Sequence, residues 1–284
     1  MRPHGRRSAP PPTSAGLEGR VVLVVDDSPV NQLLVTSQLA KLGVDSVTAP
    51  RGLDALALLE AQRFDAVLMD WHMPGMDGLE TTEALRHRES AMGLARTPVI
   101  AVTARAMLGD RERCLAAGMD DFLSKPLGLD DLARALEAWL PLNPREAAGE
   151  GTDDQSEVAD PDIDLPRLVE SEVLRRLKEE LGDGSIVVTL IDTYIAELPE
   201  RLNEMIAAVT SENLAAVERA AHTLKSTSAM LGAAALHALA AELQIASTGA
   251  RVVDLSDLVE RLVGIAERTR RRMAEARVQL TLSR

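Results

Sequence analysis

Short apolar runs punctuate the first half of the chain at regular distances. VVLVV (21–25) is five consecutive apolar residues, four of them β-branched, the pattern of a strand buried on both faces. AVLM (66–69) and PVIAV (98–102) repeat that pattern, while VDSVT (44–48) and DFLSK (121–125) are weaker versions expected nearer a sheet edge. Between the runs, helical periodicity covers roughly 29–42, 52–61, 77–89, 107–117 and 129–140. Five strands alternating with five helices predict a parallel sheet covered on both faces, an α/β doubly wound architecture.

The second half carries no strand pattern. Helical segments over about 166–181, 185–209, 211–231, 233–248 and 253–280 follow one another through short breaks, with stops marked by Gly182, Gly184, Gly232 and Gly249. Pro199 is expected to kink or divide the second of them. Long amphipathic helices with short loops predict an all-α antiparallel bundle. Residues 141–164 join the halves with eight acids, one Arg and three prolines and no apolar period, which predicts a flexible acidic linker. Its end-to-end distance would be roughly 25–30 Å, enough for the two units to touch or separate. The first 19 residues, rich in Pro and small polar residues, are expected to form a disordered tail. The domains expected are therefore 20–140 and 165–284.

Composition narrows the class of function. Aromatics make up only 2% of the chain, so its cores must be built from Leu, Val, Ala and Met. A formal net charge of −13 disfavours nucleic-acid binding. Cys114 is the single cysteine, which fits a reducing, cytoplasmic setting, and no apolar run approaches a membrane span. A monomer is expected.

Ligands of an open parallel sheet bind outside the carboxyl ends of its strands. VVLVV is followed by Asp26 and Asp27, AVLM by Asp70, VIAV by Thr103, and Lys125 closes DFLSK. Three convergent carboxylates repel one another unless a cation lies between them, and the fitting cation is hard and divalent, such as Mg²⁺. A phosphoryl group on one acid would complete its shell, with Thr103 donating and Lys125 neutralising. Alone, any one of these acids is an ordinary helix cap, and Ser28 or Asp27 and then Asp77 are capping candidates.

VVDDSPVNQ, VLMDWHMPGMDG, AVTA and DDFLSKP resemble the motifs of response-regulator receiver domains, in particular those attached to hybrid sensor kinases, across about 20–140. The resemblance implies a flavodoxin-like fold. It makes Asp70 the phosphoacceptor, Asp26, Asp27 and Asp70 the Mg²⁺ ligands, Thr103 and Lys125 the phosphoryl contacts, and Phe122 the aromatic switch. It also gives Ala104 the small position beside the site and His72 a place where receivers tune dephosphorylation. Pro74, Gly75 and Gly78 are read as turn geometry, and Cys114 as a packed residue.

In AAHTLKSTSAMLGA (220–233), a wheel at about 100° per residue puts Leu214, Val217, Ala221, Leu224, Ser228 and Leu231 in one stripe. His222 falls about 130° from its centre and is expected to face solvent, with Lys225 and Ser226 as surface neighbours. The segment resembles the phosphoacceptor helix of histidine-phosphotransfer (HPt) domains, a likeness covering about 165–284. It implies that His222 is phosphorylated and that Lys225 supports the charge. His237, among Ala and Leu, reads as structural. Arg270 to Arg272 read as a solvated face, with a lesser possibility of steering an acidic receiver.

Together these readings imply a phosphorelay intermediate working with Mg²⁺, a histidine kinase (hybrid or separate) and other receiver domains. No GxxxxGK[ST] loop offers an ATP site. Two alternatives remain open here: a binding module switched by phosphorylation of Asp70, and a phosphate sink. A phosphatase with an aspartyl nucleophile is disfavoured, because Asp70-Trp71-His72 lacks a second acid two residues on.

Overall fold

The computed structural model describes residues 16–103, 108–140, 168–248 and 255–282. Ala104, Gly249 and the proposed linker at 141–164 lie outside the described residues, as do residues 1–15 of the proposed tail. The tail expectation is corrected at its end. Residues 16–19 form a turn, and Leu17 is fully buried with Val22, Val44 and Ala66. One leucine in a polar stretch has no periodicity to announce it.

The first unit contains strands β1 (Val21–Val25), β2 (Asp45–Ala49), β3 (Ala66–Asp70), β4 (Val99–Thr103) and β5 (Asp121–Ser124). They alternate with helices α1 (Pro29–Lys41), α2 (Gly52–Ala61), α3 (Gly78–Met92), α4 (Leu108–Ala116) and α5 (Leu129–Trp139). The strands form one parallel sheet in the order β2-β1-β3-β4-β5, so the two weaker apolar runs are its edges. Side chains alternate across each strand. Val22 and Val24 join Leu39, Leu132 and Leu136 of α1 and α5, while Leu23 and Val25 join Ala55, Leu85 and Cys114 of α2, α3 and α4. Both faces are thus covered.

The second unit is wholly helical among its described residues: α6 (Ser171–Leu181), α7 (Gly184–Thr210), α8 (Leu214–Met230), α9 (Ala234–Thr248) and α10 (Leu255–Leu282). Turns of two or three residues join α6 to α9 in succession, which makes neighbours antiparallel. Gly182 ends α6 at φ 72°, the left-handed cap that glycine adopts without steric cost. Pro199 does not divide α7, which runs unbroken through it. Buried Leu198 and Met205 on either side hold the helix into the bundle, against the loss of one amide donor. The helix containing His222 starts at Leu214, later than its periodicity suggests, because Asn213 caps it by accepting from Ala216 N at 3.1 Å.

The two units pack on each other through α1. Its Val35 and Leu39 face the sheet, while Val30 and Leu34 enter the bundle's cluster beside residues such as Leu190, Tyr194 and Leu231. That helix is apolar on two sides because it serves two cores. Within the bundle, the Tyr194 hydroxyl and Ser228 Oγ lie 2.9 Å apart, both buried. No helix of the described residues is long and apolar enough to cross a membrane.

Tyr194→Phe strands the Ser228 hydroxyl in that core. A loss of about 1–3 kcal/mol is expected, read as a lower urea midpoint of the helical signal in circular dichroism.

Candidate functional site

At the carboxyl edge of the sheet, chain geometry gathers what the strand order requires. Ser28 caps α1 by accepting from Asn31 N, so neither Asp26 nor Asp27 is used as its cap. Asp77 caps α3 in a reciprocal capping box with Glu80. Asp26 instead accepts from Ser28 N at 2.9 Å and from Asn31 Nδ2 at 2.9 and 3.0 Å. Lys125 Nζ lies 2.8 Å from Asp26 Oδ2 and 3.0 Å from Asp70 Oδ1, and its backbone N donates to Thr103 O at 2.7 Å. Asp26, Asp70 and Thr103 are all buried. Gly78 packs so tightly behind Asp70 that a Cβ there would fall 2.2 Å from its carbonyl oxygen. The loop Pro74 to Gly78 is therefore set by close approach as well as by turn geometry.

Asp26, Asp27 and Asp70 each present an oxygen within 4.8 Å of the others, a set that could hold a metal ion. Burial, with neighbouring acids, pushes Asp70 up to about 8 against the opposing Lys125 ammonium. Burial and Asp26 likewise push Asp27 up to about 6. Burial alone would lower Lys125, but Asp26 and Asp70 reverse that and hold it charged. Asp27 Oδ1 is buried and accepts no hydrogen bond. Hard oxygen donors with raised pKa values and a spare buried lone pair fit a divalent cation.

His222 is a correction. Expected to face solvent, it is only 2% exposed. The wheel identified the bundle's own core well, since Val217, Ala221, Leu224 and Leu231 are buried, although Leu214 at the helix start is 49% exposed. The wheel could not anticipate that the sheet domain covers the opposite face. The His222 ring lies 4.2 Å, centroid to centroid, from that of His72, two residues beyond Asp70. A cavity of about 210 Å³ opens beside the pair, lined by Asp27 and His72 on one side and by Arg201, Arg219 and Thr223 on the other.

Lys225 is linked to His222 through a residue that sequence reasoning missed. Lys225 Nζ donates to Gln244 Oε1 at 2.7 Å, and Gln244 Nε2 lies 3.1 Å from His222 Nδ1. Lysine can only donate, so the amide oxygen of Gln244 faces Lys225 and its NH₂ faces His222. Nδ1 is then the acceptor in that contact. Gln244 sits on α9 inside a run of Ala and Leu, and only the adjacency of α9 to α8 gives it meaning.

Three further missed residues tie the units together. Glu197 accepts from Val30 N at 3.1 Å in the first turn of α1. Glu180 accepts from Leu129 N at 2.9 Å and from Gln38 Nε2 at 2.8 Å, and its carbonyl accepts from Lys41. The start of α5 has Gly128 at its cap position and no side-chain cap of its own, so the bundle supplies one. Arg201 donates to Asp27 O at 2.8 Å and lies 3.4 Å from Asp27 Oδ2. Burial raises Glu197 to about 7 despite Arg201 and the Val30 amide. In the sequence, ELPERLNE reads as an ordinary solvated helix face.

The remaining candidates fall away from the centre. Phe122 packs half-buried on the α2–α4 face, with the Arg111 guanidinium 5.8 Å over its ring. Cys114 is buried, as expected of a packed residue. His237 Nδ1 is bonded to Lys225 O at 3.1 Å, a structural role. Arg270, Arg271 and Arg272 pair with Glu267 and Glu275 on their own helix.

Comparison with known proteins separates the same two units. Residues 22–137 match the family model "Response regulator receiver domain", and 189–276 match "Hpt domain". The sensor histidine kinase GacS of Pseudomonas protegens is 31% identical over 84% of this chain and 25% of its own length. The sensor histidine kinase RcsC of Escherichia coli is 45% identical over 42% of this chain and 12% of its own. The chain thus spans a quarter or less of these curated relatives. Among solved structures, the receiver domain of a sensor histidine kinase from Pseudomonas aeruginosa is 42% identical, covering 43% of this chain and 97% of that one at a TM-score of 0.39. The chain therefore carries a response regulator receiver domain followed by an Hpt domain.

Proposed function

We propose that the protein is a two-component phosphorelay intermediate in which Asp70 and His222 are successive phosphoacceptors. The observation that carries this reading is the packing of His222 against His72, two residues past Asp70 and beside the acidic cluster. Asp70 accepts a phosphoryl group from a histidine kinase. His222 exchanges one with the aspartate of a receiver, either its own or that of another protein. The receiver extends over 20–140 and the Hpt bundle over 165–284, and the setting is cytoplasmic.

Each side chain has a derivable task. Asp26, Asp27 and Asp70 would hold Mg²⁺, which supplies positive charge to the phosphoryl oxygens when bound. Lys125, already between Asp26 and Asp70, offers an ammonium to the same oxygens, and Thr103 offers a hydroxyl. Phe122 is the switch residue of β5. On transfer, the Asp70 O–P bond breaks as a bond forms from phosphorus to His222 Nε2, the nitrogen turned away from Gln244. Asp70 leaves as a carboxylate; the attacking imidazole is the tautomer whose lone pair is on Nε2, and its Nδ1 proton leaves to water. An Nε2-phosphorylated imidazole then has its Nδ1 lone pair free, so the Gln244 bond is made in the product, with Lys225 holding Gln244 in place.

The burial of His222 favours a second reading as well, in which the receiver caps the bundle and phosphorylation of Asp70 governs whether a binding face is uncovered. In that case His222→Gln leaves signalling intact.

With Mg²⁺ and a small acyl-phosphate donor, wild type should acquire base-labile label on Asp70 and acid-labile label on His222. Asp70→Asn should lose both, and His222→Gln only the second. Label on Asp70 alone would leave the binding-module reading standing. Mg²⁺ binding must displace protons from carboxyls raised to about 8 and about 6, so affinity should fall as pH drops through that window. Calorimetry should show about a tenfold loss per pH unit wherever one proton is displaced. Gln244→Leu should slow phosphorylation of His222 by roughly tenfold while leaving Asp70 labelling unchanged, the equivalent of one lost hydrogen bond.

A further inference from the structure

We infer that Arg201 is an electrostatic latch that sets domain docking against cation loading of the acidic cluster. The inference rests on the proposed cation site and concerns its regulation. Arg201 comes from the bundle, on α7, yet its guanidinium bonds Asp27 of the receiver through both the backbone carbonyl at 2.8 Å and the carboxylate at 3.4 Å. Its other neighbours are Glu204 Oε2 at 3.3 Å and Glu197 Oε2 at 3.9 Å, both on its own helix. One guanidinium therefore separates the receiver's Asp27 from two bundle glutamates. Without its charge, three carboxylates would face one another across the interface.

Asp27 also has a buried oxygen, Oδ1, that accepts no hydrogen bond. A dication there would sit within a few ångströms of the guanidinium, where like charges repel with little solvent between them. Loading Asp27 thus weakens its hold on Arg201, and docking of Arg201 lowers the affinity for a dication. The two effects are equal by thermodynamic reciprocity.

Formal charge orders the states. With all three acids ionised, the cluster and Lys125 carry two net negative charges, which attract Arg201. A dication cancels them. A phosphoryl group on Asp70 then restores one negative charge. Docking is weakest in the loaded, unphosphorylated receiver, the form that must meet a kinase, and recovers once a phosphoryl group is present to pass on. The latch therefore releases the receiver for charging and recaptures it afterwards.

The test is calorimetric titration of the full chain with Mg²⁺ at fixed pH, beside small-angle scattering with and without the ion. Arg201→Gln removes the charge at similar size. Arg201→Lys keeps it. Glu180→Ala loosens docking at α5, away from the cluster. Arg201→Gln and Glu180→Ala should each bind Mg²⁺ about fivefold or more tightly than wild type, and Arg201→Lys close to wild type. Saturating Mg²⁺ should enlarge the radius of gyration of wild type, and of Arg201→Gln far less, since that variant is already open. Unchanged or weaker Mg²⁺ binding by Arg201→Gln overturns the latch. So does a Glu180→Ala variant that opens with no gain in Mg²⁺ affinity. Wild type that binds no Mg²⁺ at all overturns the cation site itself, a result distinct from either.

Discussion

Lys125 lies 2.8 Å from one buried carboxylate and 3.0 Å from another, and the rest of the site is arranged around that tie. Three acids at adjacent strand ends repel one another in a medium that screens poorly. Lys125 neutralises part of their charge, and Asn31 with the Ser28 amide fixes Asp26 in place. The negative charge that remains is what a metal ion or the bundle's Arg201 can engage. The parallel sheet makes this possible because its register brings the ends of β1, β3 and β4 side by side. The same repulsion that would destabilise an ordinary core leaves this cluster able to accept a cation.

Helix α1 links that chemistry to the second unit. Its N-terminal end carries Ser28 and Asn31, which organise Asp26, and its amide at Val30 is met by Glu197 of the bundle. Its apolar side chains divide between two cores. A displacement of α1 would therefore be felt at the acids, at the sheet and in the bundle together.

The parallel sheet, its edges and the convergence of Asp26, Asp27, Asp70, Thr103 and Lys125 were legible in the sequence because β1, β3 and β4 are continuous apolar runs that end in, or run directly into, their candidate residues, while the weaker runs mark the edges. Local chemistry was enough there. The histidine was legible as a residue but not in its surroundings. Periodicity orients a helix against its own bundle, so His222 read as solvent-facing until the receiver was seen to cover it. Gln244, Glu180, Glu197 and Arg201 were invisible for a related reason. Each is a polar residue on a helix, where solvation is the ordinary explanation, and each acquires a role only through a partner 19 to 174 positions away. Leu17 belongs with them, as a contact made by folding and not announced by pattern.

The shared packing of Val30 and Leu34 has a consequence for the chain when its units part. Both side chains are almost fully covered while the bundle is in place. Separation would present them to water next to the acidic cluster, creating an apolar patch at its rim. The opened chain is then adhesive beside its acidic cluster. It gains by covering that patch with another surface, so the cost of leaving one partner becomes the driving force for finding the next.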